Sequence, residues 1–202
     1  GEAVYAKRMR PDTIASERGL DFHVRYGPPA IDPQTREIFV VPIQPEFYQS
    51  LFPDSSNIAR RQAARPPLWS DKQQAFGNSL RKVYLSRSPS RSLLPGSVLL
   101  FYRSHDWQAV EAVGVVEEAA VFEEADEVVA FAGSRTVYTS TQVEVMSQGG
   151  TILAILFRQD RFLERMMTLQ ELMEHHVLSN APQSITRVLN GSELWLIDRI
   201  TG

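Results

Sequence analysis

Nine cations crowd one stretch of this 202-residue chain: Arg60, Arg61, Arg65, Lys72, Arg81, Lys82, Arg87, Arg91 and Arg103 stand between residues 58 and 103. Trp69, Phe76, Tyr84, Phe101 and Tyr102 are interleaved with them. Guanidinium and ammonium groups neutralise phosphates and aromatic faces stack on bases, so this mixture is one that nucleic acids engage. The stretch holds one acidic residue and carries +8, against −2 for residues 1–57 and −9 for residues 104–202. The net charge of −3 therefore conceals a segregation of the kind that often marks a binding face. The competing reading is a solvated surface, because neighbours in sequence need not share a face.

Other titratable groups carry less. Glu117, Glu118, Glu123, Glu124, Asp126 and Glu127 lack the glycine turn and the Asp-x-Asp spacing of a cation loop. They read as a solvated edge that repels phosphate towards the basic face. His105 and Asp106 have the residue types of a base and its orienter, but adjacent side chains seldom aim at one substrate and no partnered nucleophile is evident, so they read as a turn. His175 and His176 are consecutive on an expected helix and diverge by roughly 100°, which predicts no metal site, and no cofactor is indicated. The absence of cysteine excludes disulfides, thiolate nucleophiles and zinc ribbons, and fits an intracellular, cytoplasmic setting.

The elements that must position these groups are mixed in type. A composition of 43% hydrophobic and 22% charged residues is that of an ordinary globular domain and excludes a disordered tail. The apolar stretch 152–157 falls far short of the roughly 18 residues of a membrane span, and no secretory leader is visible. Gly1 in place of Met reads as the mark of a fragment. Residues 1–36, with Arg10-Pro11, Gly27-Pro28-Pro29 and Asp32-Pro33, read as an extended lead-in or linker, and a compact domain is expected over residues 37–202.

Within that domain, residues 38–41 read as a strand punctuated by Pro42, and residues 46–52 as a short helix ended by Pro53. Helices are expected over 57–65 and, from an Asn78 cap, through Leu85; the Ser/Arg/Pro run 86–92 is a loop whose hydroxyls and guanidinium groups are placed to touch phosphate. Residues 97–102, 110–116 and 151–157 read as strands, the last two buried on both faces. Residues 135–138 form a β-prone run, Thr139 to Thr141 cap a helix through Met146, Thr168-Leu-Gln-Glu171 caps one through Val177, and a last helix covers 192–200. Without a regular βαβ rhythm, this favours an α+β fold, a small barrel rather than a doubly wound sheet.

The run Gly77-Asn-Ser-Leu-Arg-Lys-Val-Tyr-Leu-Ser86, followed by Leu94-Pro-Gly-Ser-Val-Leu-Leu-Phe-Tyr-Arg-Ser104 and Ala112-Val-Gly-Val-Val-Glu117, resembles the PUA-like superfamily of EVE, YTH and ASCH domains. Ser134-Arg-Thr-Val-Tyr138 and Pro182-Gln-Ser-Ile185 belong to the same pattern, which spans roughly residues 38–200. The nearest likeness is to the EVE/ASCH-related region behind prokaryotic acetyltransferase domains, and Ala3-Val-Tyr-Ala-Lys-Arg8 resembles the end of such an enzyme.

The resemblance implies a small PUA-like mixed β-barrel flanked by helices, closed or nearly so, with a pocket for a single, possibly modified nucleobase of DNA or RNA. It places Tyr84, Ser104, Trp107 and Tyr138 near the base, Arg81, Lys82, Arg87, Arg103 and Arg135 nearer phosphate, and Gln183 and Ser184 at the base edge. Trp69, Trp107 and Trp195 are scattered, so the tryptophan cage of the YTH type is not formed. The resemblance also implies two alternatives to a non-catalytic binding module. One is an ASCH-like hydrolase of modified nucleosides or RNA, with Lys82, Ser86 and Glu117 in the lysine, hydroxyl and carboxylate roles. The other is a regulatory domain of an acetyltransferase.

Overall fold

The computed structural model describes residues 19–32, 35, 37–55, 80–88 and 93–201. The expected helix over 57–65, the resemblance at residues 3–8, and Trp69, Phe76, Lys72 and Arg91 lie outside them. The elements, in chain order, are α1 (Gly19–Tyr26), β1 (Ile38–Ile43), α2 (Pro45–Leu51), β2 (Arg81–Ser86), β3 (Val98–Arg103) and β4 (Ala109–Phe122). They continue with α3 (Ala125–Ala132), a 3-10 turn (Gly133–Arg135), α4 (Ser140–Ser147), β5 (Ile152–Thr168), α5 (Leu169–Glu174), β6 (Thr186–Arg187) and α6 (Glu193–Thr201).

One sheet organises them, in the order β2-β5-β4-β3-β1-β6. β1 and β3 run parallel and the other pairs antiparallel, so the sheet is mixed and the fold α+β. Among the described residues the expected barrel is not closed by backbone pairing, since β2 and β6 are the two edges of the described sheet. The sheet nevertheless curls, because Tyr84 on β2 donates its phenolic hydroxyl to the carbonyl of Pro42 on β1, 3.0 Å away across the concave face.

The strands read as continuous apolar runs because both faces are covered. Phe39, Val41, Leu99, Phe101, Ile155 and Phe157 point to the concave side, where α2 inserts Tyr48, Leu51 and Phe52. Ile38, Val40, Val98 and Leu100 point outward against Leu172 of α5 and Leu196, Ile197 and Ile200 of α6. At the other end of the outer face, Val83 and Leu85 meet Val128 of α3 and Val143 of α4. Phe101 and Phe157 lie 4.6 Å apart, ring to ring, and Gly114 between them leaves the space that both rings occupy.

Several expectations are corrected. The segment before Ser86 is the strand β2, not a helix, because residues 81–86 pair antiparallel with β5 from Arg81↔Arg158 to Ser86↔Leu153. Pro42 lies within β1 rather than ending it. Residues 135–138 form no strand but a 3-10 turn followed by one isolated bridge, Val83↔Thr136. β4 and β5 run well past their apolar cores, to 14 and 17 residues. The lead-in contains α1, whose buried His23 sits 3.4 Å from the buried Asp160 carboxylate of β5.

Two of the expected caps are present, while Asn78 lies outside the described residues. Thr139 accepts the Gln142 amide and the Gln142 side chain accepts the Thr139 N–H, a reciprocal capping box on α4. Thr168 accepts the Glu171 N–H at the start of α5, although that helix ends at Glu174 rather than Val177.

Candidate functional site

A cleft of about 780 Å³ opens beside the ends of β1, β2 and β3, within the size range of small-molecule pockets. Its floor comes from Pro42, Tyr84 and Tyr102, one wall from Thr141, Gln142, Val145 and Met146 of α4, and its lip from Ala181 to Ser184. Phe47 of α2 stacks on Tyr138 with ring centroids 4.8 Å apart and planes at 30°, and Tyr138 lies 6.5 Å from Tyr84. The hydroxyls of both tyrosines are engaged inward, Tyr84 with Pro42 O and Tyr138 with Leu85 O at 3.3 Å. Burial pushes both phenols upward in pKa, so each stays a neutral donor and offers a ring face.

The rim is made by the β3–β4 turn. Ser104 anchors it by donating both its N–H and its hydroxyl to the carbonyl of Ile43, each at 2.9 Å. His105 and Gln108 take left-handed backbone conformations, with φ of 65° and 47°, which for non-glycine residues is uncommon and costs energy that the surrounding contacts must offset. No Asp or Glu is found among the described residues that line the cleft; Arg87 and His105 are the basic side chains there.

Six of the residues expected at a base site therefore line one cleft: Tyr84, Arg87, Ser104, Tyr138, Gln183 and Ser184. The others are elsewhere. Arg81 grips Glu117 with two donors at 3.0 and 2.6 Å, and Arg158 adds a third at 2.9 Å to the same carboxylate. Arg103 is buried, pairs bidentately with Asp106 at 2.8 and 2.7 Å, and lies 4.1 Å from the ring centre of Trp107. Desolvation raises the Asp106 carboxyl, but the Arg103 fork and the Trp107 N–H more than offset it and hold it below the usual range. Arg135 ends the 3-10 turn outside the cleft lining. Lys82 is 1% exposed, with Nζ 5.7 Å from the ring centre of Phe52. Burial lowers its amine to about 8, opposed in part by Asp54. The described cations of the basic segment are thus divided between ion pairs, the core and, at Arg87, the cleft.

The lysine, hydroxyl and carboxylate alternative is also rearranged. On a strand, Lys82 and Ser86 stand about 13 Å apart instead of one helical turn, and Glu117 is held by two arginines. The concave face offers a different carboxylate. Glu111 is fully buried and is the extra residue of a bulge against β3, where the consecutive residues Tyr102 and Phe101 pair with Val110 and Ala112 and Glu111 itself is skipped. Such a bulge re-aims the extra side chain. Here Ser55 Oγ donates to Glu111 Oε2 at 2.7 Å and Tyr48 Oη donates at 3.3 Å. Glu111, Ser55 and Tyr48 were not singled out in the sequence; the available signal was one glutamate inside the apolar run 109–116. Among the described residues, no group of three or more His, Asp or Glu side chains is disposed to hold a metal ion. No helix there is long and apolar enough to cross a membrane.

No protein-family model matches the chain, and no curated protein matches it. Solved structures do. ASCH from Zymomonas mobilis is 16% identical and superposes with a TM-score of 0.58 over 81% of this chain and 96% of that one. A serine-to-alanine mutant and a tyrosine-to-phenylalanine mutant of the same protein superpose with TM-scores of 0.56, at the same identity, over 95% and 97% of their chains. At that identity the likeness shows the fold alone: this chain is folded like the ASCH structure from Zymomonas mobilis.

Proposed function

We propose that the domain is a cytoplasmic nucleic-acid-binding module whose cleft takes a single nucleobase, modified or not. One observation carries the reading. The cleft sets the ring faces of Phe47, Tyr84 and Tyr138 beside the amide and hydroxyl groups of Gln142, Gln183 and Ser184, with no carboxylate among its described lining. A planar heterocycle needs such faces for stacking and such groups for its edge, and an anionic backbone is not repelled there. The test is titration of single-stranded DNA and RNA oligonucleotides against the wild type, Phe47→Ala and Tyr138→Ala. The reading expects binding that weakens with salt and falls about tenfold or more in each variant. Affinity unchanged by both substitutions, or no binding at all, removes it.

A second reading, hydrolysis of acylated nucleosides or of RNA, is favoured by the lowered amine of Lys82 on the same concave face as Glu111. A lysine half-deprotonated at about pH 8 can act as a base. In this reading Glu111 and Ser55 replace Glu117 and Ser86. Turnover of N-acylated cytidine that is lost in Lys82→Met and in Glu111→Gln would favour hydrolysis over plain binding. A regulatory role beside an acetyltransferase domain is compatible with either reading.

A further inference from the structure

Arg87 is disposed unlike its neighbours on the sheet. Arg81, Arg103 and Arg158 each hold a carboxylate. Arg87, just past β2, has no carboxylate partner among the described residues; its Nη2 donates to the carbonyl of Val145 at 3.0 Å. Val145 lies in the last turn of α4, where carbonyls lack helical partners, so the contact fixes the side chain without neutralising its charge. The guanidinium rests directly on Gly149: a Cβ at that position would lie 2.5 Å from Cζ and Nη1 and 2.7 Å from Nη2. One of five donors is thereby used, and the residue borders a cleft with no acidic lining.

From this geometry we infer that Arg87 is a preset phosphate clamp, and that the ligand of the cleft is a phosphorylated nucleotide rather than a bare nucleoside. The inference rests on the nucleobase reading above and adds the anion. A guanidinium held by a backbone carbonyl keeps its remaining donors in a fixed fork that matches two phosphate oxygens. Because the fork is ordered before the ligand arrives, less freedom is lost on binding. Gly149 is part of the device, since any side chain there would occupy the place of the guanidinium. Gly149 is exposed and the displaced group is the end of a flexible side chain, so Gly149→Ala moves the fork without removing charge or disturbing the core.

The experiment is calorimetric titration of adenosine, guanosine, cytidine and uridine, and of their 5′- and 3′-monophosphates, into the wild type, Arg87→Ala and Gly149→Ala. Thermal melts check that all three are folded. For at least one base, the monophosphate should bind the wild type about tenfold or more tighter than its nucleoside. That ratio should fall to about one in both variants, with nucleoside affinity retained. Inorganic phosphate should compete with the monophosphate in the wild type. Equal affinity for nucleoside and monophosphate in the wild type, or a ratio preserved in Arg87→Ala, overturns the clamp and leaves the base cleft standing. A ratio preserved in Gly149→Ala overturns the part assigned to Gly149. Absence of binding by every nucleoside and nucleotide overturns the base cleft itself, and the clamp with it.

Discussion

The hydroxyl of Tyr84 reaches the carbonyl of Pro42 at 3.0 Å although β2 and β1 stand four places apart in the sheet. A side chain can span that gap only if the sheet folds over its concave face, so this bond measures the curvature that makes the cleft. Both partners also line the cleft.

Tyr84→Phe keeps the ring and deletes the bond. It leaves a partly buried carbonyl without this donor, and should lower unfolding stability by about 1 kcal/mol. Urea denaturation of the two proteins measures it. A loss within experimental error would mean that the curl is set by the packing of Phe52, Phe101 and Phe157 alone.

Glu111 supports two buried hydroxyls, and the kind of substitution decides the cost. Glu111→Leu removes this acceptor from the Ser55 and Tyr48 hydroxyls and should destabilise by about 1–3 kcal/mol. Glu111→Gln retains a carbonyl oxygen at nearly the same place and should lose clearly less. Equal losses in the two variants would show that the bulge, not the carboxylate, sets the stability of this face.

Lys82 predicts an alkaline signature. Burial lowers its amine from 10.5 to about 8, so between those values the unfolded chain binds more protons at this group than the folded one. Stability should therefore rise with pH across that window, the burial penalty being fully present below pH 8. Lys82→Met should abolish the rise and be more stable than the wild type at pH 7, by about 1 kcal/mol or more. Denaturation at a series of pH values from 7 to 11 compares the two curves; parallel curves would exclude a lowered amine.

Gly114 is a packing requirement. A Cβ there would lie 2.8 Å from Phe157 Cδ2, 3.0 Å from the Arg158 carbonyl and 3.1 Å from Phe101 Cε2. One neighbour is backbone and the rings are confined, so Gly114→Ala should destabilise by about 1–3 kcal/mol through overpacking. A melting temperature equal to that of the wild type would contradict this.

How far the sequence revealed the molecule depends on where each signal lay. Caps are local, and Thr139 and Thr168 stood where the sequence put them. β1, β3 and the cores of β4 and β5 were legible because strands buried on both faces need unbroken apolar runs. The same double burial hid β2: Lys82, Val83, Tyr84 and Leu85 are all buried, so no two-residue alternation distinguishes the strand from a helix, and only pairing with β5 decides. The outer ends of β4 and β5 were missed because partly exposed paired strands carry charge, as at Glu117, Glu118, Arg158 and Arg161. Of the site, Tyr84, Arg87, Ser104, Tyr138, Gln183 and Ser184 came together. Arg81 did not, because its partner Glu117 lies 36 residues away and is brought to it by the sheet, and Arg103 did not, because the β3–β4 turn closes Asp106, three residues on, against it. Glu111 was overlooked since a bulge leaves no trace in composition.

The cleft draws on residues from Pro42 to Ser184, through strands near opposite edges of the sheet and a lip added late in the chain. No contiguous fragment contains it, so a peptide cut from any half of the domain would carry none of the recognition. Long loops must close before the cavity exists, which puts its assembly among the last events of folding. Any molecule that settles there would act as a clasp on the whole domain and raise its resistance to heat and proteases in proportion to the logarithm of its concentration.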